Sequence, residues 1–185
     1  MSKFINCVLL LVLIQPFLPD AQSLSAQNIG QTSITLSDPA RGNRQVTAEV
    51  YYPASSAGQN TPIQAGVYPL IVYGHGFVMV WSAYQNVWND LVPQGYIVAF
   101  PTTEGSFSPV HANFGADLAF LVTAIQSGGA APAVPANQVA ATSAIMGHSM
   151  GGGSSFLGAA GNNNISAVVT FAAANTTPSS IAALS

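Results

Sequence analysis

Ser149 lies in the run Met146-Gly147-His148-Ser149-Met150-Gly151-Gly152-Gly153. The G-x-S-x-G spacing suits a serine that attacks an acyl carbon. A sharp strand-to-helix turn lifts the hydroxyl clear of the chain only when the residues two positions either side carry almost no side chain. Gly147 and Gly151 meet that need, and the strained conformation is expected to fall on Ser149 itself. An apolar run precedes the motif and a small-residue stretch follows it, as such a turn requires. A helix starting there directs its N-terminus at the crevice, so the backbone N–H of Met150 can face a developing oxyanion. His148 is expected to pack beside the turn rather than activate the serine. The bland alternative, an idle serine in a glycine-rich loop, does not account for the strand before and the helix after.

A second motif, Tyr73-Gly74-His75-Gly76-Phe77, follows an earlier apolar run, and Gly76 lets the chain approach a substrate closely. His75 reads as a brace for this turn rather than as a catalytic base, and His111 has no pattern that gives it a role. A serine nucleophile needs an imidazole to take its proton and a carboxylate to orient that imidazole. After Ser149 the chain contains no Asp, Glu or His. Asp117 is the best remaining carboxylate, but it falls on a helix running along the sheet, so it is expected to be a helix-surface or structural charge far from the crevice.

The elements that must position these residues alternate along the chain. Ser33 to Leu36 and Arg44 to Tyr52 alternate polar and apolar residues and predict two antiparallel strands, and Ala54 to Gly66 reads as a surface loop. Four short apolar runs suit strands covered on both faces: Tyr68 to Tyr73, Gly95 to Phe100, Ser143 to Met146 and Ala167 to Phe171. Phe77, Trp81, Tyr84, Trp88 and Leu91 predict one helix with an aromatic face, read as core packing except at Phe77, which should border the site. Phe114 to Gln126 and Gly151 to Gly161 predict two more helices. Pro178 suits the start of a further one. Strands alternating with helices give an α/β fold with a mainly parallel sheet and helices on both faces.

Composition narrows the class. The 185 residues are 49% hydrophobic and 5% charged, with a formal charge of −3. Nucleic-acid binding is excluded, because it needs a basic face, and so is intrinsic disorder, which is poor in apolar residues. Lys3, the apolar run Cys7 to Ile14 and the exit Ala21-Gln22-Ser23 read as a secretory signal peptide over 1–23, too short in its apolar run to span a bilayer. The mature chain then holds no cysteine, and is expected to be secreted or periplasmic, without disulfides and without stable membrane insertion.

The HGF turn, the strand Gly95 to Pro101 and the GHSMGGG elbow together resemble secreted α/β-hydrolase esterases. The nearest groups are the chlorophyllase-like, dienelactone-hydrolase-like and platelet-activating-factor-acetylhydrolase-like members, with cutinase-like polyester hydrolases close by. The resemblance covers about Thr47 to Asn175. It implies hydrolysis of a small or polymeric carboxylic ester through an acyl-serine intermediate, with no metal and no cofactor. Ser149 matches the family nucleophile, and Phe77 and Met150 match the oxyanion donors, supported by Gly76, Gly147, His148 and Gly151. Triad order in that fold is Ser, then Asp or Glu, then His, so residues 24–185 are expected to be the N-terminal portion of a single domain, inactive alone for want of its acid and base. The alternative is a non-catalytic α/β-hydrolase-like binding protein. A peptidase or acyltransferase built on the same elbow is a weaker possibility.

Overall fold

The computed structural model describes residues 28–130 and 133–184, so the expected leader over 1–23 lies outside the described residues. β1 (Asn28–Asp38) and β2 (Arg44–Ala54) form an antiparallel pair in unbroken register from Asn28↔Ala54 to Asp38↔Arg44. The link between them turns through Pro39–Arg41, with Gly42 and Asn43 at φ 64 and φ 61. The stretch Ala54 to Gly66 is not wholly a surface loop. β3 (Gly58–Gln59) pairs parallel with β1, and Ile63 bridges to Ala54. Ile63 is buried, and Tyr52 donates its hydroxyl proton to Thr61 O at 2.9 Å, which draws the segment back to the sheet edge.

β4 (Tyr68–Gly74), β5 (Ile97–Pro101), β6 (Val139–His148) and β7 (Ala167–Phe171) make the parallel part. The sheet order is β3-β1-β2-β5-β4-β6-β7. β4 and β5 are buried on both faces, as continuous apolar runs require. β7 is not, contrary to its sequence pattern: Val169 and Phe171 are 43% and 50% exposed. Among the described residues it pairs with β6 alone, and beside it an open apolar groove of about 440 Å³ is lined by Leu91, Tyr96, Met146 and Val169 among others.

α1 (Gln85–Leu91) lies on one face, α2 (His111–Gly128) and α3 (Met150–Ala159) on the other. The single aromatic helix expected from Phe77 to Leu91 is shorter than its spacing suggests. Trp81–Tyr84 is a 3-10 turn leading into α1, and Phe77 belongs to a separate turn. Val78 at φ 53 and Val80 in extended conformation break the helix between them. The aromatic residues that remain are core: Trp88 stacks on Tyr51 with ring centres 4.2 Å apart and meets Phe100 edge-on at 5.5 Å. On the opposite face Leu118, Leu121, Val122 and Ile125 of α2 are buried with Val72, Ile97 and Ile145. No α-helix starts at Pro178. Thr176 Oγ1 donates to Pro178 O and Ser180 Oγ to Ala174 O, holding this stretch in turns before a short 3-10 turn at Ala182–Leu184. Among the described residues no helix is long and apolar enough to cross a membrane.

Candidate active site

β6 ends at His148 and α3 begins at Met150, leaving Ser149 alone in the turn with φ 52 and ψ −115. Such a conformation costs a non-glycine residue about 1–3 kcal/mol and persists only where the surroundings impose it. Here they do. Ser149 N donates to Phe171 O at 2.9 Å, while Ser149 O accepts from Gly153 N at 3.0 Å and Ala174 N at 2.9 Å. The glycines are equally determined. A Cβ on Gly147 would lie 2.4 Å from the carbonyl carbon of Gly151, and one on Gly151 2.1 Å from Gly74 O. Elbow and sheet thus meet backbone to backbone.

Ser149 occupies the N-cap position of α3, where serine ordinarily accepts a hydrogen bond from the first turn. Its side chain makes no such bond, and Oγ has no hydrogen-bond partner among the described residues. Met150, as the first residue of the helix, has an N–H with no carbonyl one turn earlier to bind.

The loop after β4 approaches the elbow from the neighbouring strand. Met79 N donates to Gly76 O at 3.1 Å, closing a turn with Phe77 and Val78 at its centre. A Cβ on Gly76 would lie 2.9 Å from Met79 Sδ and 3.0 Å from His148 Nδ1, so a larger residue here would press these side chains aside. Gly76 N donates to Tyr84 Oη at 2.8 Å, and His75 Nδ1 lies 2.9 Å from Gly76 O. The Phe77 N–H makes no hydrogen bond among the described residues. Its side chain is half exposed and meets Phe107 edge-on with ring centres 6.4 Å apart.

The three histidines are all engaged away from Ser149. The His75 ring is buried, with Nε2 2.9 Å from Thr103 O, which ties the β4 loop to the loop after β5. His148 Nδ1 lies 3.0 Å from Tyr84 Oη, and His111 Nδ1 accepts from Thr177 N at 3.1 Å. Asp117 is a structural charge, but not on the helix surface: it is fully buried. Arg44 grips it with Nε at 2.9 Å and a terminal nitrogen at 2.8 Å, Arg41 approaches to 2.7 Å, and Thr103 Oγ1 donates at 2.7 Å. Burial pushes the Asp117 carboxyl up, yet the hydrogen bonds from Arg44, Thr103 and Arg41 outweigh it and hold the group below its ordinary 3.8. The same contacts, led by the hydrogen bond to Asp117, raise Arg44 against its own desolvation.

Of the elbow residues Gly147, His148, Ser149, Met150 and Gly151, His148 lies against Gly76 and Gly151 against Gly74 and His75, with Phe77 next in the facing turn. The aromatic spacing marks Tyr84 only as core. A buried tyrosine needs a partner for its hydroxyl, and that was the signal pointing toward the two loops. A cavity of about 310 Å³ lined by Tyr73, Met79, Tyr84, His148 and Phe171 lies beneath His148 and does not include Ser149. No group of three or more His, Cys, Asp or Glu among the described residues could hold a metal ion.

A family model described as Chlorophyllase matches residues 32–176. Among solved structures, the ferulic acid esterase from Streptomyces cinnamoneus superimposes with a TM-score of 0.60 at 18% identity, over 76% of this chain and 58% of that chain. At that identity the likeness shows the fold, which is that of the α/β hydrolases, and this chain spans little more than half of the esterase's length. No curated protein sequence matches significantly.

Proposed function

This chain belongs to the chlorophyllase family, and we propose that it hydrolyses carboxylic esters through an acyl-Ser149 intermediate. Ser149 Oγ attacks the ester carbonyl carbon as its proton passes to a general base. The charge gathering on the carbonyl oxygen is held by the N–H groups of Phe77 and Met150. The bond to the alcohol oxygen then breaks, the alcohol leaves with a proton, and water releases the acyl group by the same path. The observation that carries this reading is the Ser149 hydroxyl itself: strained into the elbow, at a cap position it does not use for capping, beside a helix-terminal N–H. The named activity of the structural neighbour, an esterase, agrees with it.

The general base and its carboxylate are proposed to come from chain outside residues 28–184, since His75, His111 and His148 are bonded elsewhere and Asp117 is committed to Arg41 and Arg44. On this account residues 24–185 are the N-terminal portion of the domain, 1–23 is its secretory leader, and the protein acts outside the cytoplasm on a small or polymeric ester. The second reading, a binding protein that keeps the crevice without turnover, is favoured by the same lack of a base beside Ser149. Hydrolysis of 4-nitrophenyl butyrate by the longest natural form separates them. The esterase reading expects turnover that falls about a thousandfold or more in Ser149→Ala. A rate equal in both proteins, or none in either, favours the binding protein.

A further inference from the structure

Tyr84, the last residue of the 3-10 turn before α1, is buried, yet its hydroxyl has three polar neighbours. It accepts Gly76 N–H at 2.8 Å, and it lies 3.1 Å from Met79 Sδ and 3.0 Å from His148 Nδ1. Gly76 and Met79 are the first and last residues of the turn that carries the Phe77 N–H, and His148 directly precedes Ser149. One hydroxyl therefore touches both ends of that turn and the elbow.

The turn is one that needs holding. Its third residue, Val78, sits at φ 53, where a β-branched side chain is disfavoured and glycine is the usual occupant. Two further contacts fix the peptide that ends in the Phe77 N–H: Gly76 O accepts from Met79 N, and the His75 ring lies against it. With Gly76 N–H tied to Tyr84 and Gly76 O tied from two sides, the peptide that carries the Phe77 N–H is held in place, and that N–H, like the one of Val78, has no partner among the described residues.

We propose that Tyr84 is a positioning residue: its hydroxyl clamps the strained Gly76–Met79 turn to the elbow and so holds the Phe77 N–H where the oxyanion forms. This rests on the esterase reading above. Burial raises the Tyr84 phenol above its ordinary value, so the hydroxyl keeps its proton across the working range of an esterase.

The test compares wild type, Tyr84→Phe and Tyr84→Phe/Val78→Gly in the longest natural form, reading kcat, KM and the ¹⁵N shift of the Phe77 amide. Tyr84→Phe is expected to lower kcat about 10- to 100-fold, less than outright removal of a donor, with KM within about twofold. Val78→Gly is expected to recover about fivefold of that loss, because glycine takes the positive φ without a clamp. Unchanged kcat in Tyr84→Phe, or a loss shared with KM that Val78→Gly does not recover, overturns the proposal. A wild type without turnover sinks the esterase reading alone. The Phe77 shift then decides the clamp, supporting it by moving in Tyr84→Phe and returning in the double variant, and refuting it by staying fixed. Should Tyr84→Phe not fold, hydrogen exchange in the wild type decides: Gly76 N–H slow and Phe77 N–H fast supports the clamp, and a fast Gly76 N–H refutes it.

Discussion

Ser149 keeps an unfavourable backbone because three backbone hydrogen bonds and two glycines leave it no other. Of these two glycines Gly151 has the less room, with a Cβ only 2.1 Å from Gly74 O. Neither backbone can yield without opening the sheet beneath the elbow. Gly151→Ala is therefore expected to cost about 3 kcal/mol or more and to abolish activity, as measured by thermal unfolding and ester turnover. Asp117 makes a different prediction. Its carboxyl is held below 3.8, so its stabilising contribution is complete above that value and is lost as pH falls through the lower folded one. Asp117→Asn removes the buried carboxylate that Arg41 and Arg44 share, leaving Arg41 with Asp38 and Arg44 with Glu104, and should cost about 3 kcal/mol near neutral pH, or about 10 °C in melting temperature. Melting curves from about pH 6 to about pH 3 should show that gap narrowing, because the wild type loses what the variant never had.

At the scale of elements, the parallel strands and the elbow were legible because each is a local pattern: an apolar run, then glycines at fixed spacing. β4 and β5 carry that signal in full, and α3 follows Ser149 as expected. Phe77 was misplaced onto the helix because its spacing to Trp81 continues the aromatic period, while nothing in a lone Val78 announces a positive φ. β3 escaped notice because two residues pairing with a distant edge leave no period to read. The convergence of Arg41, Arg44 and Thr103 on Asp117, and of Gly76, Met79 and His148 on Tyr84, joins residues far apart in sequence, and no local pattern encodes it. The aromatic packing of α1 yields its own test. Trp88 is buried against Tyr51 and Phe100, whereas Trp81 is only partly covered. Trp88→Ala should cost about 3–5 kcal/mol and Trp81→Ala clearly less, by denaturant titration.

At the scale of the whole molecule, the two edges of the sheet differ among the described residues. The antiparallel pair and β3 close one edge, while β7 offers an apolar strand with Val169 and Phe171 exposed above an uncovered groove. Such an edge favours association. A protein comprising residues 24–185 alone should self-associate as concentration rises, and Val169→Lys should reduce the effect in light scattering. Ser149 and Met150 follow the carboxyl end of β6, and Phe77 lies in the loop after the carboxyl end of the neighbouring β4. Everything proposed for this site follows from Ser149 acting as the nucleophile. That role is tested most directly by treating the longest natural form with a fluorophosphonate and locating the adduct by peptide mass spectrometry. A single phosphonylated residue, Ser149, is expected, with no labelling in Ser149→Ala. Labelling at another serine, or labelling that survives Ser149→Ala, would contradict it.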